Sequence, residues 1–133
     1  MDTVSAKIDT RLYRTEIKSA SENVLISDEP QELGGKNLGL NPTELLAASL
    51  ASCTVITLRM YINRKQWDVS EIDVKIDFER DSERNVSVFS RKIEVIGNVD
   101  EIQRQRLETI ANSCPIHKTL THSIEIKTTL IQL

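Results

Sequence analysis

The run of residues Leu45 to Ile62 is apolar or small on every face of the helix that it predicts, with Arg59 as its only charged residue. A helix that is apolar all round is buried on all sides. At 1.5 Å per residue it is about 30 Å long. One domain of 133 residues can hardly enclose such a helix, so we expect a second subunit to cover part of it.

The start of this helix is marked by residue types that favour a helix N-terminus. Asn41 is a preferred N-cap, Pro42 suits the first helical position, and Glu44 completes a capping box. The preceding loop, residues 28–41, holds three of the four glycines. It lacks the Lys-Ser/Thr ending of a P-loop, so we interpret it as a flexible connection into the helix.

Alternation of apolar and polar residues predicts strands on both sides of the long helix. We expect three short strands within residues 1–28, arranged as a meander. A second pair of strands follows, over 72–79 and from Val86 to Val95. The parity of the apolar residues changes along the second strand of that pair, which predicts a bulge near Phe89.

Two shorter helices and a final strand complete the predicted order. A capping box over 98–101 starts an amphipathic helix that ends near Ser113, and a short helix runs from Pro115 to about Thr121. Residues 124–130 form the last strand. The order βββ-α-ββ-α-α-β predicts an α+β fold with largely antiparallel pairing, built as a single domain over 1–133.

Charge and composition exclude several classes of protein. The chain has 20 acidic and 17 basic residues, a net charge of −3 and only 4% aromatic residues. These values argue against a nucleic-acid binder, which needs a basic surface. We find no apolar run that approaches the ~20 residues of a bilayer span, and residues 1–10 lack a signal-peptide core. We therefore expect no membrane association and a cytoplasmic location.

The two cysteines occupy different settings. Cys53 lies in the middle of the long helix, and Cys114 precedes Pro115 at an N-cap-like position. Free backbone N–H groups at such a position favour a thiolate. A permanent structural disulfide is not expected in a reducing cytoplasm. Buried apolar thiols, metal ligands and a redox pair remain as alternatives.

Two motifs carry a resemblance to a known family. The run LGGKNLGLNPTELLAASLASCTVITLRMY, followed about 60 residues later by SCPIHKTL, resembles the OsmC/Ohr family of thiol-dependent peroxidases. The resemblance covers nearly the whole chain. It implies an intertwined homodimer with two long central helices inside sheets built from both chains. It also implies reduction of organic hydroperoxides, and to some extent hydrogen peroxide, in oxidative-stress defence.

The resemblance also implies roles for individual residues. Cys53 matches the peroxidatic cysteine, and Cys114 matches the resolving cysteine that forms a redox-active disulfide with it. Arg11 matches the arginine beside the peroxidatic thiolate, and Arg14 matches a second family arginine. An external dithiol acts as reductant, and the family requires no metal or organic cofactor.

The chain departs from the family at the carboxylate that holds this arginine. The family glutamate most often follows the proline of the Asn-Pro pair directly, and Thr43 occupies that place here. Glu44 comes one residue later, a rotation of about 100° on a helix. Glu44 therefore has two interpretations, as a catalytic residue or as the helix cap alone.

Two other functions are compatible with the same residues. A zinc-binding module could use Cys114, His117 and His122, with Cys53 as a fourth ligand. A non-catalytic dimer could instead bind a small apolar molecule in its interface, with both cysteines buried and inert.

Overall fold

The computed structural model describes all 133 residues and contains two compact units, residues 1–48 and 49–133. The boundary between them falls inside the longest helix, α1, Pro42–Lys65. The chain contains five strands and three α-helices. The predicted α+β class is therefore confirmed.

The first unit begins with a three-stranded antiparallel meander. Its strands are β1 (Val4–Lys7), β2 (Thr15–Ser19) and β3 (Val24–Ser27). Each strand pairs with the next one along the chain; residues 8–14 connect β1 to β2, and residues 20–23 connect β2 to β3. The prediction of three short strands in this region is confirmed.

A buried carboxylate, Asp28, organises the loop that follows β3. Its side chain accepts hydrogen bonds from four backbone N–H groups, those of Tyr13, Glu29, Lys36 and Leu38. Burial raises the pKa of the Asp28 carboxyl, but the four N–H groups outweigh burial, so its pKa lies below the usual value. The loop N–H groups of Lys36 and Leu38 are thus occupied by an internal carboxylate, which supports the interpretation of this loop as a connection.

We expect Asp28→Ala to lower the melting temperature by at least about 5 °C at pH 7, because it leaves buried N–H groups without an acceptor. The folded-state pKa of Asp28 is depressed, so its stabilisation is present above the unfolded pKa of about 3.9 and is lost as pH falls through the folded value. The melting difference between wild type and variant should shrink accordingly in thermal scans below about pH 4.

Glu32→Ala is the matched control, since it removes one carboxylate from the exposed part of the same loop. Equal melting temperatures for Asp28→Ala and Glu32→Ala would contradict the organising role of Asp28.

The long helix α1 begins with the predicted capping box. The backbone N–H of Glu44 donates to the Asn41 side chain at 2.8 Å, and the backbone N–H of Asn41 donates to the Glu44 carboxylate at 2.9 Å. The helix continues to Lys65, beyond the predicted end at Ile62, and stops before Gln66, whose φ is 58°.

Only one face of α1 is buried within this chain. The exposed fractions are 50% for Ile56 and 68% for Met60, so the expected burial on all sides is not achieved by a single chain. By length and composition α1 could also cross a membrane. The prediction that no apolar run approaches the length of a bilayer span was therefore wrong. The core helix of a soluble protein passes the same test. The buried residues of α1 are Leu50, Thr54, Leu58, Tyr61 and Ile62.

The second unit contains a long antiparallel hairpin formed by β4 (Asp68–Asp81) and β5 (Val86–Asn98). The predicted bulge near Phe89 was wrong, because the register is continuous there and Phe78 pairs with Phe89. The irregularity lies at the other end of the hairpin, between Val69 and Glu71.

Two helices follow the hairpin, α2 (Glu101–Ala111) and α3 (Pro115–Leu120). The capping box of α2 is formed by Asp100 and Gln103 rather than by residues 98–101. Asn98 belongs to β5, which ends there. Asp100 lies between this strand and α2, and aspartate is a preferred N-cap residue. The predicted short helix after Cys114 is confirmed.

The core of the second unit joins α1, the hairpin and α2. Tyr61 packs edge-on against Trp67, with ring centroids 5.4 Å apart. The buried cluster consists of Leu58, Tyr61, Ile62, Val69, Leu107 and Ala111. This core fixes α1 against β5 and α2, the elements that surround the candidate site.

The predicted last strand is absent. Residues 123–133 have no assigned secondary structure, and Ile124 and Ile126 are exposed. A strand needs a neighbouring strand to pair its backbone groups, and this segment pairs with none in the chain. Its alternating pattern therefore does not produce a strand in one copy of the molecule.

Candidate active site around the two cysteines

Cys53 lies in the fourth turn of α1 as a free thiol and is half-buried. Its Sγ is 4.0 Å from Oγ1 of Thr57, one turn later on the same helix. The next residue, Thr54, is fully buried and donates its hydroxyl to the carbonyl of Leu50 at 2.7 Å. Cys53 is thus more accessible than its immediate neighbour.

Cys114 is a free thiol with no exposed surface and is the N-cap of α3. Its Sγ accepts a hydrogen bond from the backbone N–H of His117 at 3.3 Å. The N-cap position predicted from the Cys114-Pro115 pair is therefore confirmed.

A residue that the sequence analysis missed, Arg91, lies between these two segments. It belongs to β5, on the same half-buried face as Phe89 and Ile93, and is paired with Ile76 of β4. The signal that could have found it is a charged residue at an inward position of an otherwise apolar alternation. This signal was present in the sequence, since Arg91 has the same parity as the apolar Ile93 and Val95.

The guanidinium of Arg91 donates to three acceptors from three different segments. Nη1 is 3.0 Å from Oγ1 of Thr54, and Nη2 is 2.8 Å from Oδ1 of Asn112 and 3.2 Å from Nδ1 of His117. The ion pairs of the chain do not include Arg91. Its positive charge is therefore held by neutral groups only.

The contact with Arg91 also determines the state of His117. A guanidinium has only N–H donors, so Nδ1 of His117 accepts, and the proton of the neutral ring is on Nε2. Burial and, to a smaller degree, the charge of Arg91 lower the pKa of His117 below its usual value. His117 is thus a neutral ring at pH 7.

A cavity of about 310 Å³ lies next to Arg91, between β5 and α2. Ile93, Val95 and Leu107 form its apolar walls, and charged residues of α2 line its rim. Its volume is at the lower end of the range for small-molecule sites.

The two other predicted site residues, Arg11 and Glu44, belong to the first unit. Arg11 is exposed and binds the Asp9 carboxylate through Nε and Nη2, at 3.2 and 3.0 Å. This hydrogen bonding lowers the pKa of Asp9. Arg11 and Arg14 both line a surface cavity of about 400 Å³. The Glu44 carboxylate is held by the backbone N–H of Asn41, as expected of a helix cap.

The ligands considered for zinc are not assembled into a metal site. No group of three or more His, Cys, Asp or Glu side chains is arranged to hold a metal ion. His122 instead approaches the carbonyl of Lys118 through Nδ1, away from the contacts of Cys114 described above. The structure gives no support to the zinc-binding interpretation.

Comparisons with known proteins agree on the fold. The model of the OsmC-like protein family matches residues 34–129. An osmotic stress and detoxification response protein described from Psychrobacter arcticus is 24% identical with a TM-score of 0.77, over 90% of this chain and 88% of that chain. An OsmC-like protein from Mycoplasma pneumoniae is 16% identical with a TM-score of 0.76, over 91% and 87%.

A third structure is the organic hydroperoxide resistance protein OhrB of Bacillus subtilis. It is 21% identical with a TM-score of 0.60, over 90% of this chain and 89% of that chain. The comparison with curated proteins found no match. At these identities, the solved structures establish the likeness of the fold.

Proposed function

Because this chain belongs to the OsmC-like protein family, we propose that it is a thiol-dependent peroxidase that reduces organic hydroperoxides in oxidative-stress defence. Its redox pair is Cys53 and Cys114. One structure of the same fold is an organic hydroperoxide resistance protein, which supports this choice of substrate. The cavity beside Arg91 has apolar walls that suit the organic group of such a substrate.

The observation that carries the proposal is the hydrogen-bonded path between the segments of the two cysteines. Thr54 follows Cys53, Arg91 binds both Thr54 and His117, and the backbone N–H of His117 donates to the Sγ of Cys114. A positive charge without a carboxylate partner lies in the middle of this path. Such a charge stabilises anions that develop nearby.

The proposed reaction has three steps. The Cys53 thiolate attacks the peroxide, so that an S–O bond forms, the O–O bond breaks, and the alkoxide leaves as alcohol after taking a proton. Cys114 then attacks the resulting sulfenic acid, forming the disulfide and releasing water. An external dithiol reduces this disulfide by exchange and becomes oxidised itself.

Arg11 and Glu44 have different roles in this proposal. We assign Arg11 to the family role of a cation for the peroxidatic thiolate, with Asp9 as the carboxylate that orients it, because Asp9 binds two of its nitrogens. Glu44 then acts as the cap of α1, since its carboxylate is engaged by the backbone of Asn41.

The working form in this proposal is a homodimer. Ile56 and Met60 lie one turn apart on the exposed face of α1, adjacent to the turn of Cys53. The exposed apolar side chains of the last ten residues add a second surface without a partner in the chain. Covering both by a second copy removes apolar area from water. We further assign the protein to the cytoplasm, where dithiol reductants are present.

A stoichiometric titration tests the proposed function. Reduced protein is treated with cumene hydroperoxide, and peroxide and free thiols are measured. We expect each chain to consume one peroxide and lose both thiols, and dithiothreitol to restore them. Survival of both thiols under conditions that oxidise an established thiol peroxidase would sink the proposal and favour the non-catalytic binding protein.

A further inference from the structure

The charge of Arg91 on a largely apolar face costs free energy of folding. The face of the hairpin that carries Arg91 is otherwise apolar, with Ile76 opposite and Phe89 and Ile93 on either side. Arg91 is half-buried, partial burial of a charge without an ionic partner is unfavourable, and none of the ion pairs of the chain includes Arg91. Methionine or leucine would pack on such a face without that cost.

The acceptors of Arg91 flank both cysteines. Thr54 is the residue after Cys53, Asn112 is two residues before Cys114, and His117 is three residues after it. Asn112 is also the C-cap of α2, and Cys114 is the N-cap of α3. One side chain therefore holds both ends of the Cys114 segment and attaches them to the turn of α1 that carries Cys53.

From this geometry we propose that Arg91 is the positioning residue for disulfide closure. It keeps Cys114 aligned for attack on the sulfur of Cys53 through its hydrogen bonds to Asn112 and His117. This inference rests on the proposed function, because it assumes that the two cysteines form a redox pair. It assigns Arg91 to the second step, the attack by Cys114, and leaves the first reaction of Cys53 to other groups.

Disulfide closure can be measured without peroxide. One equivalent of dithiodipyridine reacts with the more exposed thiol, Cys53, and releases one thiopyridone as an S–S bond forms to the remaining half. Cys114 then attacks the Cys53 sulfur of this mixed disulfide, which forms the protein disulfide and releases the second thiopyridone. Rapid-mixing absorbance gives the rate of each release, and mass spectrometry identifies the adduct between them.

In Arg91→Met we expect the second release to slow by at least about tenfold, with accumulation of the adduct, because small misplacements of reacting groups cost large factors in rate. The first release should stay within about twofold of wild type. Lys92→Met is the matched control, since it removes a charge from the outward face of the same strand. Its two rates should equal those of wild type.

Two further variants keep the test decisive if Arg91→Met fails to fold. Arg91→Lys retains the charge but cannot bind all three acceptors, and Thr54→Val removes the acceptor on α1 while leaving Arg91 intact. Each should slow the second release by about threefold to tenfold. Circular dichroism melts establish which variants are folded.

The outcomes separate this inference from the proposed function. Closure that depends on Arg91 in a protein that consumes no peroxide would support the inference and end the peroxidase proposal. A second release in Arg91→Met or Arg91→Lys within twofold of wild type would overturn the inference, whatever the peroxide activity. Equal slowing of both releases, or no disulfide in wild type, would overturn it as well.

Discussion

Replacing Cys53 with serine should lower peroxide consumption by at least about a thousandfold, as expected when the nucleophile of a covalent mechanism is removed. A serine hydroxyl is almost entirely protonated at pH 7, whereas a thiol ionises and reacts as the anion. The measurement is the rate of cumene hydroperoxide loss with excess dithiothreitol. Ser52→Ala, a neighbouring change on the exposed side of α1, should retain the wild-type rate.

The companion variant Cys114→Ser should separate the first step from the second. It should consume peroxide once and stop at the sulfenic acid, and more peroxide should convert Cys53 to sulfinic acid because no thiol intercepts it. Mass spectrometry should detect the addition of one and then two oxygens. More than a tenth of the wild-type rate in Cys53→Ser, or an intact thiol in Cys114→Ser, would contradict the assigned roles.

The second large effect concerns the exposed face of α1. We expect the double variant Ile56→Lys, Met60→Lys to shift the protein from a dimer to a monomer of 15.1 kDa, because it places two charges in an apolar interface. Both positions are exposed in the single chain, so the change leaves the core of the second unit intact. Light scattering coupled to size exclusion measures the mass.

Gln105→Lys is the control for that experiment, since it adds a charge to an exposed position on α2. It should remain dimeric. A monomeric wild-type protein at micromolar concentration, or a dimeric Ile56→Lys, Met60→Lys variant, would exclude this face of α1 as the interface.

Several elements were predictable because their signals are local. The α1 cap depends on Asn41 and Glu44, which are three residues apart, and the cap of α3 depends on Cys114 and its neighbours. The paired cysteines stood out for the same reason, since each lies in a short motif of distinctive residues. The errors in these local predictions were small; for example, the α2 capping box is formed by Asp100 and Gln103 and not by residues 98–101.

Arg91 shows where reading along the chain failed. Its inward position follows from the continuous pairing of Phe78 with Phe89 and of Ile76 with Arg91. Its parity was visible in the sequence, since Arg91 alternates in step with the apolar Ile93 and Val95. Its partners were not visible, because they lie on other elements that only packing brings beside the strand.

Helix α1, its cap, the hairpin pattern and the setting of Cys114 are encoded by residues within a few positions of one another, so the linear pattern was enough to predict them. The hydrogen-bond partners of Arg91 are not close to it in sequence, since Thr54 lies 37 residues away in the chain and His117 lies 26 residues away. The same holds for the last strand, whose alternation was visible but whose pairing partner is missing from the single chain. Local propensity selects helices, strands and caps, whereas a hydrogen bond between distant residues exists only once packing has brought their elements together.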